Sequence, residues 1–118
     1  MLIDAARRQT VELFSSMALL VELHGVMARA KFSAALAQRG LRAQALFEGY
    51  AALVELVTPA QVNPRVLSDP ADDAVLACAL AARADCVVSG DAHLLDLKHY
   101  QGISVIDATE AVRRIRRL

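Results

Sequence analysis

Apolar residues along this chain recur at helical spacing in some stretches and form short unbroken runs in others. Leu19, Leu20, Leu23, Val26 and Met27 make one apolar arc, which predicts a helix over residues 17–29. Ser15 and Ser16 stand before it, and either can cap it. The preceding run Val11-Glu12-Leu13-Phe14 reads as a strand. Residues 2–9 fit a short helix with no capping residue ahead of it. A second short helix is expected over 31–39, stopped by Gly40. A third is expected over 43–53, through Leu46, Phe47, Tyr50 and Leu53, with a short strand at Leu56-Val57. The second half punctuates more sharply. Residues 63–68 read as a loop, and Asp69-Pro70 is a strong helix start, with an acceptor at the cap and proline in the first turn. The helix 71–83 that follows is apolar almost all round, so it should be buried. Residues 86–88 form an apolar strand that runs into Ser89-Gly90-Asp91, and a helical turn over 92–97 follows. A strand at 103–106 leads to Asp107-Ala108-Thr109-Glu110, a capping-box start for a last helix to residue 117. Strands alternating with helices across short connections predict a parallel α/β fold.

Composition narrows the class. A chain of 118 residues has room for one domain. Thirteen Lys and Arg balance thirteen Asp and Glu, which argues against a protein that coats DNA non-specifically but permits a nuclease with a local site. With 56% apolar and 22% charged residues, the chain is too hydrophobic to be disordered. Its 23 Ala and 17 Leu favour helices packed closely through small side chains. The longest uncharged apolar run, residues 74–82, falls short of the roughly 20 residues a bilayer span requires. An acid and two arginines lie within the first eight residues, which speaks against a signal peptide and for a cytosolic protein. Cys78 and Cys86 have no metal-binding spacing and read as two free, buried thiols.

The acids carry the candidate chemistry. On a helical wheel Glu22 lies about 60° from Leu19 and about 40° from Val26, at the edge of the buried arc, where a carboxylate is partly desolvated. The plainer reading makes it a boundary residue that reaches water or an arginine. Asp69, Asp72 and Asp73 cluster at one helix start, and a cap plus dipole-complementing acids accounts for Asp69 and Asp72. Asp73 shares a stripe with Leu76, Ala77 and Leu80, so it is aimed inward. Asp91 lies just past the carboxyl end of a strand, where open α/β sheets bind ligands, though it can equally cap the turn at 92–97. His24, His93 and His99 share no ligand spacing. Arg113, Arg114, Arg116 and Arg117 suit the last helix's dipole, with phosphate contact as the alternative. Inward-tending acids on separate elements, without a catalytic His or Cys, point to Mg²⁺ or Mn²⁺, hard cations that take oxygen ligands.

The runs Ser-Ser-Met-Ala-Leu-Leu-Val-Glu-Leu (15–23), Lys31-Phe32, Asp-Pro-Ala-Asp-Asp-Ala-Val-Leu-Ala-Cys-Ala-Leu (69–80), Val-Val-Ser-Gly-Asp (87–91) and Leu94-Leu95 together resemble the PIN-domain family. The likeness is to the toxin components of toxin–antitoxin pairs. It implies a small three-layer α/β sandwich around a short parallel sheet, and Mg²⁺- or Mn²⁺-dependent cleavage of RNA. By resemblance, Glu22 matches the family's helix acid, Asp73 the acid opening the buried helix, and Asp91 the acid after the fourth strand. Ser89 matches the small hydroxyl residue beside that last acid, and Asp69 and Asp72 match further acids of this branch. One departure matters. The family opens with a central strand carrying Asp-Thr-Asn, whose Asp is a principal metal ligand, and this chain has no such motif. Residues 2–8 resemble instead the helix that follows that strand. About 20 residues would make up the absent strand and loop. A gene-start error, a decayed toxin and a natural short form are all open.

These readings set the expectations. Glu22, Asp73 and Asp91 should converge on one cavity and hold one or two metal ions, weakly because one carboxylate is absent, and RNA cleavage should be slight. The rival is a non-catalytic remnant acting by protein contact, as a homodimer or as a decoy for an antitoxin. A phosphoacceptor α/β domain would need a paired acid after an early strand and a lysine near the sheet's end, and neither can be placed. Without a central strand, strands 11–14 and 86–88 should either pair directly or take a strand or helix from a second copy.

Overall fold

The computed structural model describes residues 2–60 and 70–117. Along them run α1 Leu2–Arg7, β1 Leu13–Ser15, α2 Met17–Met27, α3 Ala30–Ala37, α4 Ala43–Leu53 and β2 Val54–Leu56. After these come α5 Pro70–Ala82, β3 Cys86–Val88, α6 Ala92–Leu97, β4 His99–Tyr100, β5 Ile103–Ile106 and α7 Ala108–Arg116. The fold is mixed α/β, as the alternation of patterns predicts. The loop expected at 63–68 and the cap expected at Asp69 lie outside the described residues.

Local chemistry explains the boundaries. Of the two serines ahead of α2, Ser16 is the cap: its hydroxyl accepts from the Leu19 N–H at 3.3 Å. Asp91 caps α6, and Asp107 caps α7 by accepting from the Glu110 N–H at 2.8 Å. Three helices end alike. At Gln9, Gly40 and Arg83 the backbone enters the left-handed region, with φ of 60°, 72° and 53°. In each case the next N–H reaches back five residues, as Ala84 does to the Ala79 carbonyl at 3.0 Å, which closes the orphaned carbonyls of the last turn.

The main core sits under α5. Leu76 is fully buried and packs with Ala79, Val87, Leu94, Ile103 and Val105. Leu76, Ala77, Cys78 and Ala79 are buried in succession, as a helix apolar on all sides requires. The other half is looser. Leu20 is the buried residue of α2, and neither α3 nor α4 has one.

The strands divide into two sheets. β1 pairs with β2 in parallel, Leu13 opposite Val54 and Ser15 opposite Leu56. β3 pairs with β5 in parallel, Val87 opposite Val105. The purely parallel expectation is corrected at β4, which pairs antiparallel with β5. Gln101 and Gly102 both adopt positive φ, 49° and 84°, and so form the two-residue turn that joins adjacent antiparallel strands. Among the described residues β1 and β3 are not paired with each other, although both pack against α5. Direct closure of these two strands, one of the two expected outcomes, is therefore not what the fold does.

Candidate active site

Asp73 stands in the first turn of α5, and its side chain is drawn inward by the stripe it shares with Leu76 and Ala77. It is 8% exposed, and its Oδ1 has no hydrogen-bond partner among the described residues. A buried carboxylate oxygen without a donor costs about 1–3 kcal/mol, so this position asks for a cation or a donor. Asp72, read from the sequence as complementing the helix dipole, is also buried, at 5% exposed. Helix geometry explains why both are buried. Adjacent residues stand about 100° apart, and α5 is covered on most of its circumference, so both acids are enclosed.

Asp91 is exposed, and its Oδ1 accepts from the His93 N–H at 2.8 Å. The cap reading therefore holds for this oxygen. Ser89 lies beside it, its hydroxyl accepting from the Asp91 N–H at 3.0 Å, while its own N–H donates to the Ile106 carbonyl at 2.9 Å. The loop after β3 is thus braced at both ends. Glu22 is exposed rather than partly desolvated. Its neighbours on the wheel, Leu19 and Val26, are only half-buried, so the edge of that arc already lies in water. Asp69 lies outside the described residues.

Among the described residues no three His, Cys, Asp or Glu side chains gather closely enough to hold a metal ion. The histidines have other work or none: His24 contacts Gln44 Oε1 at 3.3 Å and meets Phe47 edge-on at 4.9 Å between ring centroids. An open cavity of about 360 Å³ between α2, α3 and α4 is lined by His24, Arg42, Gln44 and Phe47 but by none of the candidate acids. On α7, Glu110 pairs with Arg113 at 2.7 Å and Arg114 at 3.4 Å, which occupies part of the basic cluster locally.

A second polar group went unread in the sequence. Ser15, the last residue of β1, is 3% exposed, and its hydroxyl meets the Tyr50 phenol. Burial raises the Tyr50 pKa, the nearby Cys78 adds to the rise, and the Ser15 hydrogen bond opposes it. Burial likewise raises the Cys78 thiol. For Cys86 burial again raises the pKa and Asp85 adds to it, while Arg114 pulls the other way. The signal for this cluster was the pair of serines between strand and helix, beneath the Tyr50 stripe of α4.

The geometry so far defines a small α/β domain with acids at the start of a buried helix and past a strand end. A family model described as PIN domain matches residues 1–93, and the chain belongs to the PIN-domain family. No match was found among curated proteins or among solved structures.

The family implies a divalent cation, and the residues present fit it only in part. The orphaned, buried oxygen of Asp73 is the kind of ligand such an ion satisfies. Glu22 and Asp91 do not join it in a metal-holding group. In this arrangement the donor set does not fit a resident ion, and no chemical step is derived through one.

Proposed function

We propose that the chain is a PIN-domain protein of the toxin type, whose activity class is Mg²⁺- or Mn²⁺-dependent RNA cleavage. Asp73 is the anchoring acid of its site, Glu22 and Asp91 are the partners it must recruit, and Ser89, Asp69 and Asp72 support them. The buried, unpartnered Asp73 oxygen carries this reading, because a protein folds more easily without such a group. The need for a cation follows from charge. RNA brings phosphates towards a region already holding Asp72 and Asp73, and like charges repel unless a cation stands between them. With Asp91 engaged as a cap and Glu22 in water, the acids are dispersed, so ion binding is weak and turnover is slight. The proposed setting is the cytosol; no helix among the described residues is long and apolar enough to cross a membrane.

Calorimetric titration with Mn²⁺ and cleavage assays on single-stranded RNA test this. Weak Mn²⁺ binding that Asp73→Asn removes is expected, with little or no cleavage at physiological Mg²⁺. Mn²⁺ binding indifferent to Asp73→Asn would refute the anchoring role. Vigorous, EDTA-sensitive cleavage abolished by Asp91→Asn would show that the acids do assemble, and that dispersal does not limit activity.

A second reading is favoured by a separate observation, the division of the sheet. In it the protein acts through contact, as a homodimer or as a decoy for an antitoxin, because open strand edges are association sites. Sedimentation equilibrium separates a 12.7 kDa monomer from a dimer of twice that mass.

A further inference from the structure

The chain as a whole has no net charge, yet four of its thirteen Lys and Arg stand within the five residues 113–117. Arg113, Arg114 and Arg116 lie on α7 and Arg117 is its C-cap, and all four are exposed. At about 100° per residue they share one arc of about 160°. Ala111 is buried and Val112 and Ile115 are half-buried on the rest of the helix, which packs against the protein. The helix dipole accounts for a cation or two in the last turn. Glu110 pairs with Arg113 and Arg114, whereas Arg116 and Arg117 have no acidic partner among the described residues. These two add like-charge neighbours at i,i+3 and i,i+4, which destabilise a helix, so stability does not explain them. More positive charge stands close by. α1 packs against α7 and is only six residues long, about 9 Å, so the exposed Arg7 and Arg8 lie near the same helix.

α7 is also tied to the candidate acids. The Ser89 N–H bonds to the Ile106 carbonyl at 2.9 Å, and the next residue, Asp107, caps α7. The Asp91 loop therefore stands at the N-terminal end of this helix. At 1.5 Å per residue, the arginines begin about 9 Å and end about 15 Å along the helix from Asp107. A hollow of about 430 Å³ follows the same path, lined among the described residues by Ala108, Thr109, Val112, Arg113 and Arg116.

We propose that the outer face of α7 is a docking surface for an RNA strand, with Arg116 and Arg117 as its principal phosphate contacts and Arg113 and Arg114 beside them. Guanidinium groups suit this task, because they are always charged and meet phosphate with two parallel hydrogen bonds. Such contacts position the strand and do not read its bases. The arginines are positioning residues. They hold phosphates about three to four nucleotides from the Asp91 loop, at a stacked spacing of roughly 3.4 Å. A membrane surface is the poorer occupant. A helix lying in a bilayer interface turns its apolar residues outward, and those of α7 face the protein. The choice of RNA as occupant rests on the RNA reading above, whereas the surface itself requires neither a metal ion nor cleavage.

The probe is a labelled dodecauridylate, titrated against the full chain by fluorescence anisotropy in EDTA, from about 50 to 300 mM KCl. Four phosphate contacts predict a slope of log K against log[KCl] of about −2.8. The double variant Arg116→Gln, Arg117→Gln should lower the slope to about −1.4 and weaken binding about 25-fold at 0.1 M KCl. Arg116→Lys with Arg117→Lys should restore the slope. Arg29→Gln with Arg39→Gln removes the same charge elsewhere and should change affinity less than about threefold. Circular dichroism checks that each variant is folded. No binding at about 100 µM protein, an unchanged slope in Arg116→Gln, Arg117→Gln, or equal losses in the two glutamine pairs would each overturn the proposal. So would tighter capture by phosphatidylserine vesicles than by RNA, or poly-glutamate displacing the probe as readily as unlabelled RNA does. EDTA keeps these figures independent of the metal site. Mn²⁺ binding indifferent to Asp73→Asn would sink that site and leave the surface standing.

Discussion

Replacing Asp73 with alanine should make the protein more stable. Its carboxylate is 8% exposed, and one oxygen has no donor among the described residues. Relieving a buried unsatisfied group returns about 1–3 kcal/mol. Two smaller effects nearly cancel. An acid in the first turn interacts favourably with the helix dipole by about 0.3–1 kcal/mol, which the variant loses. Alanine is the better helix former by about half a kcal/mol, which the variant gains. The net expectation is a gain of about 1–2.5 kcal/mol. For a chain of this length, near 2 cal/mol/K of unfolding entropy per residue converts each kcal/mol into about 4 °C. Thermal melts followed by circular dichroism, with urea titrations as a second measure, should therefore show a rise of about 4–10 °C. Asp73→Asn keeps an acceptor in the same place and should gain less. Mn²⁺ should raise the melting point of the wild type and leave that of Asp73→Ala unmoved, because ligand binding to the native state adds to stability. A loss of 1 kcal/mol or more in Asp73→Ala without added metal would refute the reasoning. It would mean that the carboxylate already has a partner in solution.

Three further outcomes follow from the fold. Leu76→Ala empties the centre of the main core, where the residue is fully buried, and should cost about 2–5 kcal/mol in urea unfolding. Arg83→Gly should stabilise by about 0.5–1 kcal/mol, because residue 83 holds φ at 53° and glycine adopts that conformation without strain. Stability should fall as pH rises from about 9. The Cys78 and Cys86 thiols are raised by burial, so the native state holds their protons more tightly than the unfolded chain. Their contribution is complete below the unfolded value and is lost as pH climbs through the folded one, with Tyr50 adding the same trend higher up. Unfolding titrations at pH 7, 9 and 10 read the slope, and Cys78→Ala should flatten it.

The elements best read from sequence are those whose signals are local. Residues 43–53, 86–88, 92–97 and 103–106 coincide with α4, β3, α6 and β5, each framed by caps or apolar runs that need no distant partner. Gly40 announced its turn because glycine adopts positive φ freely, whereas Gln9 and Arg83 make the same turn with side chains that give no warning. The hairpin at β4 was missed for a similar reason. It spans two residues, and its turn uses Gln101 where Asn or Asp would have marked it. The division into two sheets follows from no periodicity at all, since strand pairing is set by distant segments.

The acids show where such reading stops and why. Asp73 was legible because one helix wheel fixed both its direction and the apolar stripe around it. Asp72 was not, since its burial depends on what covers the other side of α5. Glu22 follows its plainer reading and reaches water, because an arc of leucines predicts which face turns inward but not how well that face is covered. Asp91 had two readings, and the geometry shows the cap: its Oδ1 accepts from the His93 N–H at 2.8 Å. An oxygen held by a helix N-terminus has part of its charge already satisfied, so a cation must compete with the cap for it. The cost of that competition is about the worth of a cap, roughly 1 kcal/mol, which is small beside the gain from placing a divalent ion against two carboxylates. Recruiting Asp91 is therefore energetically accessible.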